Sequence, residues 1–161
     1  MSAADLPPTL EDAIVLAAHW HRGQTYPSLR GEPFIFHPLR VMLQVESDVE
    51  RIVAVLHDVI EDTACTVGDL RCLGYSEQVI EAVDRLTHRD ADPYDTYIER
   101  IQDDPLARQV KLADLADNLA NNRRLAEVAA GTETRERILR YERAIAQLRA
   151  AAAAATAEPP L

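Results

Sequence analysis

Helix start and stop signals recur along this chain from residue 9 onward, and no stretch between them alternates apolar and polar with a period of two. Thr9-Leu-Glu-Asp12 and Ser47-Asp-Val-Glu50 read as capping boxes, in which a hydroxyl and a carboxylate satisfy amide groups that a first helical turn leaves open. These signals predict an all-α protein: a single compact bundle of roughly eight helices with no internal repeat.

The first helix carries Ala13, Leu16, Ala17 and Trp20 at helical spacing, and Gly23 to Pro33 then form a loop longer than most connections. Pro38 suits the first turn of a short second helix. Ser47 opens a third, expected to hold all of Val53 to Thr63. Further helices are expected over Thr66 to Leu73, Ser76 to Leu86, Asp92 to Gln102 and Pro105 to about Arg124. The last is expected from about Thr134 into the alanine run Ala150 to Ala155. At 161 residues the length suits one domain over residues 1–161, with a core over 9–149 and an alanine-rich tail, 150–161, that frays.

A formal charge of −10 argues against a nucleic-acid partner, which calls for a clustered basic surface. A phosphorylated small molecule then needs a cation, or converging basic side chains, to offset the repulsion. Cys65 and Cys72 stand six residues apart without a C-x-x-C, so neither a disulfide framework nor a zinc ribbon is indicated. The N-terminal residues carry no secretory pattern, and no run of apolar residues is long enough to span a bilayer, so a cytoplasmic protein without a membrane partner is expected. The oligomeric state is open.

Val53 to Thr63 contains His57-Asp58 and, one turn later, Glu61-Asp62. On a helix these four fall within an arc of roughly 140°, opposite Ile52, Val55, Leu56, Val59 and Ile60. One reading is a solvated amphipathic face. The other makes His57 and Asp58 metal ligands with Glu61 and Asp62 working on water, a donor set that suits Mn, Fe or Zn better than Ca or Mg. A site needs ligands from elsewhere, and His37, wedged before Pro38, is one candidate, although a buried structural histidine fits as well. Within Lys111 to Asn122, Lys111, Asp114, Asn118, Asn121 and Asn122 share an arc of about 100°. So many Asp and Asn residues are poor choices for a helix interior unless they have work to do. His19, His21 and His88 are read as structural or surface residues outside the site.

Four pieces together resemble the HD-type metal-dependent phosphohydrolases, and among them the (p)ppGpp hydrolase domain of RelA/SpoT proteins and the small alarmone hydrolases. They are Ala18-His-Trp-His-Arg-Gly-Gln24, Gly31-Glu-Pro-Phe-Ile-Phe-His-Pro-Leu39, Val55-Leu-His-Asp-Val-Ile-Glu-Asp-Thr63 and Lys111-Leu-Ala-Asp-Leu-Ala-Asp-Asn118. They occur in the family's order between about residues 10 and 145. The resemblance implies that His37, His57, Asp58 and Asp114 bind Mn²⁺ or another divalent metal, and that Glu61 and Asp62 position and activate the attacking water. Asn118 matches a residue on the substrate's sugar and phosphate side, with Lys111 and Tyr141 as further contacts, while Tyr26 and Arg30 are the groups the loop offers to a base.

The implied reaction removes the 3′-pyrophosphate from (p)ppGpp. With no room for a synthetase domain in 161 residues, removal rather than manufacture is expected. Another phosphorylated nucleotide, such as (p)ppApp or NADPH, and a non-catalytic binding module are the alternatives.

Overall fold

The computed structural model describes residues 7–129 and 131–157. Among them are nine helical segments and no strand: α1 Leu10–Trp20, α2 Phe36–Met42, α3 Asp48–Leu56, α4 Val59–Asp62, α5 Val67–Cys72, α6 Glu77–Leu86, α7 Tyr94–Gln102, α8 Pro105–Val128 and α9 Thr132–Ala157. The helix starts follow local chemistry. Thr9, Ser47 and Thr66 each close a reciprocal capping box, and Asp104 accepts from two amides in front of Pro105. Gly74, at φ 88°, closes the end of α5 in a left-handed conformation that a side chain would strain. The expectation of an all-α bundle holds. α9 carries the alanine run to Ala157, while Glu158–Leu161 and residues 1–6 lie outside the described residues.

The third helix is not the continuous amphipathic rod that its sequence suggests. Val53, Ala54, Val55 and Leu56 are all buried, so the last turn of α3 is apolar on every side and enters the core, where the helix packs against α1, α2, α6 and α8. It then breaks at His57 and Asp58 before α4 resumes. The cause is local: His57 Nδ1 donates at 2.7 Å to the Ala54 carbonyl, which an uninterrupted helix would bond to the Asp58 amide. The break keeps Asp62 N–H on Asp58 O at 2.9 Å, so the two acidic couples stay one turn apart.

α8 is the second organising element, packing on α9, α2, α3, α6 and α7. Buried Ala107, Val110, Leu115 and Leu119 seat it, and each fully buried leucine contributes about 1.5–3 kcal/mol of transfer free energy. The long loop before α2 is more ordered than a plain connection. It folds back on itself through Tyr26 N–H to Glu32 O (2.8 Å) and Phe34 N–H to Gln24 O (3.0 Å). Asn121 Nδ2 then pins its tip to α8 by donating to Pro27 O at 2.9 Å.

Candidate active site

Three separate stretches of chain bring four donor groups together. His37 stands in the first turn of α2, His57 and Asp58 at the α3–α4 break, and Asp114 in the middle of α8. His37 Nε2 lies 3.1 Å from Asp114 Oδ1 and 3.5 Å from Asp58 Oδ2. His57 Nε2 lies 3.1 Å from Asp58 Oδ2 and 3.6 Å from Asp114 Oδ1. Both histidines are only 2% exposed and Asp114 3%, which removes the reading of a solvated helix face.

This donor set fits a divalent cation. His57 Nδ1 faces a carbonyl, which can only accept, so that nitrogen carries the proton and Nε2 presents a lone pair. His37 Nδ1 faces Asp117 Oδ2 at 2.8 Å, with the same result. His57 Nε2 is buried without a hydrogen-bond partner in the protein. His37, His57 and Asp58 bring ligand atoms within 4.8 Å of one another, and Asp114 Oδ1 faces both histidines, a concentration of lone pairs and negative charge that a cation neutralises. Adjacent ligands on an ion with bonds of about 2.1–2.2 Å are separated by about 3 Å, close to the spacings found here.

Without an ion, the same charges act on protons. Burial alone lowers the pKa of His57, but Asp58 and Asp114 outweigh it and hold it well above the usual histidine range. His37 is raised in the same way, with Asp114 and Asp117 opposing burial. Asp114 is also disfavoured by burial, yet Lys111 and the two histidines keep it well below the ordinary carboxylate range.

Glu61 and Asp62 occupy the exposed rim, one turn beyond the ligand couple. The His88 amide donates to Glu61 Oε2 at 2.7 Å, and Gln24 Nε2 donates to Asp62 O at 2.8 Å. Gln24 Oε1 in turn meets His21 Nδ1 at 2.7 Å, so buried His21 supports the rim through Gln24. Loss of water contact raises both carboxyls, and nearby Asp58 adds to it; Asp62 is pushed up to about 6. A carboxyl raised this way is a better proton acceptor in its ionised form.

No family model matches the chain. Individual proteins do. Guanosine-3′,5′-bis(diphosphate) 3′-pyrophosphohydrolase MESH1 of Mus musculus is 31% identical over 140 residues, covering 82% of this chain and 78% of its own length. The chain belongs to this family of HD-type ppGpp hydrolases. Bifunctional (p)ppGpp synthase/hydrolase SpoT of Escherichia coli K12 is 35% identical over 125 residues, 68% of this chain. GTP pyrophosphokinase of Streptomyces coelicolor is 31% identical over 145 residues, 82% of this chain. The matched stretch is only 17% of each of these longer proteins. A solved structure described as a metazoan ortholog of SpoT that hydrolyzes ppGpp superposes with a TM-score of 0.72 at 23% identity, covering 90% of this chain and 88% of the other, which speaks to the fold.

Beyond the four ligand candidates and the two rim acids, the remaining candidates of this member of the HD-type ppGpp hydrolases differ in how far they are enclosed. Tyr26, expected to stack on a base, is 4% exposed; its ring stacks on His37 at 4.8 Å and its hydroxyl donates to Asn118 Oδ1 at 2.7 Å. Its ring is part of the site wall. Lys111, expected at the substrate, is 12% exposed and places Nζ 2.8 Å from Asp114 Oδ2 and 5.0 Å from the centre of the Tyr97 ring. It is the counter-ion of a ligand candidate. Asn118 binds Tyr26 at one end of its amide and Asp114 at the other. Tyr141 is half-buried against the core, with Arg140 5.9 Å from its ring centre. Arg30 is exposed and lines a groove of about 590 Å³ with Ser28, Arg40, Asp117 and Arg124.

Sequence reasoning missed two groups. Asp117 orients His37 and is itself gripped by Arg40 through Nε at 2.7 Å and Nη2 at 3.0 Å. Its place one turn after Asp114 in the same Asp- and Asn-rich stretch was the available clue. His88, read as a surface residue, reaches the site through its main chain, for which a residue name gives no clue.

Proposed function

We propose that this chain hydrolyses guanosine-3′,5′-bis(diphosphate) and its pentaphosphate relative, removing pyrophosphate from the 3′ position. In this reading, Mn²⁺ or another divalent cation is held by His37, His57, Asp58 and Asp114, within one HD-type unit over residues 9–149. The observation that carries it is the convergence of two inward imidazole lone pairs and two carboxylates, with two elevated carboxyls one helical turn away. Relatives named for this activity support the choice of substrate.

Bound there, the cation supplies Lewis acidity, lowering the pKa of water and offsetting phosphate charge. The chain does the rest. Glu61 and Asp62 orient the attacking water and accept its proton as its oxygen bonds to the phosphorus next to the ribose. The bond from that phosphorus to the 3′ oxygen breaks, and a proton ends on the released 3′ hydroxyl. One water is consumed: its hydroxyl stays on pyrophosphate and its other hydrogen on the nucleotide product. The wall of Tyr26 and Asn118 and the exposed Arg30 receive the nucleoside side. The substrate in this reading is a free nucleotide in the cytoplasm, with neither nucleic acid nor membrane as partner; the net charge of −10 argues against nucleic acid, and the cation offsets its repulsion of the nucleotide. No helix among the described residues is long and apolar enough to cross a membrane.

The packing of Tyr26 favours a second reading. With that ring turned onto His37, base selection rests on the loop tip and Arg30, which also suits a differently substituted nucleotide such as (p)ppApp or NADPH. Metal-stripped protein incubated with ppGpp, (p)ppApp or NADPH, with and without Mn²⁺, separates the two, with products resolved by ion exchange. Mn²⁺-dependent release of pyrophosphate and GDP from ppGpp, lost in Asp58→Ala, is expected. Turnover of ppGpp that persists in metal-free Asp58→Ala would overturn the reading.

A further inference from the structure

The carboxylate of Glu61 is held by a main-chain amide, and that amide belongs to a loop with its own fastening. We propose that Arg100, on the far side of this loop, is a positioning residue for Glu61 that acts through residues 87–92. This rests on the reading above in which Glu61 handles the proton of the attacking water.

Arg100 grips the loop at both ends. Nη2 donates to the Thr87 carbonyl at 2.9 Å, where α6 stops, and Nη1 donates to Asp92 Oδ2 at 2.9 Å, just before α7 begins. Within the loop, His88 Nε2 donates to Asp92 O at 3.0 Å and the Asp92 amide to Arg89 O at 2.8 Å. The floor is aromatic. Tyr97 lies with its ring centre 4.9 Å from that of His88 and 5.6 Å from the Arg100 guanidinium carbon, and its hydroxyl donates to Leu86 O at 2.5 Å. Arg100 is anchored in turn, because Arg85 Nη1 donates to its carbonyl at 3.0 Å.

The end product of these contacts is one N–H aimed at Glu61 Oε2 at 2.7 Å. A hydrogen bond to an ionised carboxylate is roughly twice as strong as a neutral one, and it fixes direction as well as position. Oε1 is left without a protein partner among the described residues, and it is the oxygen that can meet water. A glutamate side chain has three rotatable bonds, and a hydrogen bond to its end removes much of that freedom. The loop supplies that restraint, and Arg100, with two bonds at its two ends, sets the shape of the loop.

The test is a double-mutant cycle in full-length, Mn²⁺-loaded protein with ppGpp, combined with amide exchange of His88 by NMR in the metal-free form. Arg100→Met is expected to keep metal content and KM and to lower kcat by roughly ten- to a hundredfold. Arg100→Lys, which can keep one of the two loop bonds, restores part of the loss. Asp92→Asn weakens the same clamp without touching Arg100. In a Glu61→Gln background, Arg100→Met should cost less than about twofold more, because the group it positions is gone. His88 exchange should quicken in Arg100→Met and Asp92→Asn, and not in Arg71→Met, a surface control. Losses that multiply in the cycle, or His88 exchange unchanged by Arg100→Met and Asp92→Asn, would overturn the proposal. If the wild type releases no pyrophosphate from ppGpp, the functional reading fails, and the exchange comparison still decides whether Arg100 holds this loop on Glu61.

Discussion

His57-Asp58 and Glu61-Asp62 lie one helical turn apart on the same piece of chain, yet they are held in opposite ways. The first couple is locked from within: His57 is 2% exposed, and its ring is fixed by a carbonyl three residues earlier. The second sits on the rim and is restrained from outside, Glu61 at its carboxylate by the loop after α6 and Asp62 only at its main-chain carbonyl, by Gln24 from the loop before α2. The difference suits the work proposed for each. Holding a cation demands fixed lone pairs in a dry, buried place. Moving a proton demands a carboxyl near water whose pKa has been raised but whose direction is controlled.

The sharpest way to break this division is Asp58→Ala, which should abolish bound metal and turnover together, a loss on the order of a thousandfold or more in kcat. Metal analysis beside steady-state rates reads both. Glu61→Gln should separate them, with metal content unchanged and kcat lower by roughly 10²–10⁴. Loss of metal in that variant would show that the rim and the ligands are one unit after all. Asp117→Ala should weaken metal affinity by about 10–100-fold, because the His37 ring loses its orienting partner while every ligand remains; competition against a chelator measures it.

The subtlest effect is in stability against pH. Burial, Asp58 and Glu61 raise Asp62 from 3.8 to about 6 in the folded, metal-free protein. A raised carboxyl favours folding at low pH, fully so below about 3.8, and that contribution is lost as pH rises through about 6. Metal-free Asp62→Asn should therefore melt higher than wild type at pH 7 to 8, with the gap closing toward pH 4. The ordering rests on Asp62 losing water contact beside like charge, so an equal gap at every pH would remove that explanation.

Much of this was legible in the chain. Capping residues announce helix starts because they satisfy amides within a few positions of themselves, and so Thr9, Ser47 and Asp104 do their work where the sequence puts them. The ligand candidates and the rim acids were legible through four pieces that occur in one order. What stayed hidden depends on the path of the backbone. Nothing in Val53 to Thr63 marks a break at His57, because the break comes from a side chain outbidding an amide for one carbonyl. The stacking of Tyr26 on His37 stayed hidden because the turn that folds it there is made by main-chain bonds across the loop. The pairing of Lys111 with Asp114 on its own helix, three residues away, was not read either, because a free cation and a bound one look alike in a sequence.

The two histidine locks also differ in how they can be lost over evolutionary time. His37 depends on the Asp117 side chain, so one codon change there releases its ring and lowers the grip on metal while every ligand stays in place. His57 depends on a carbonyl that every amino acid carries at position 54, and no single substitution deletes it. In the proposed site, drift in metal affinity within a lineage should therefore enter through α8 and His37, leaving the His57-Asp58 pair as the last part to change.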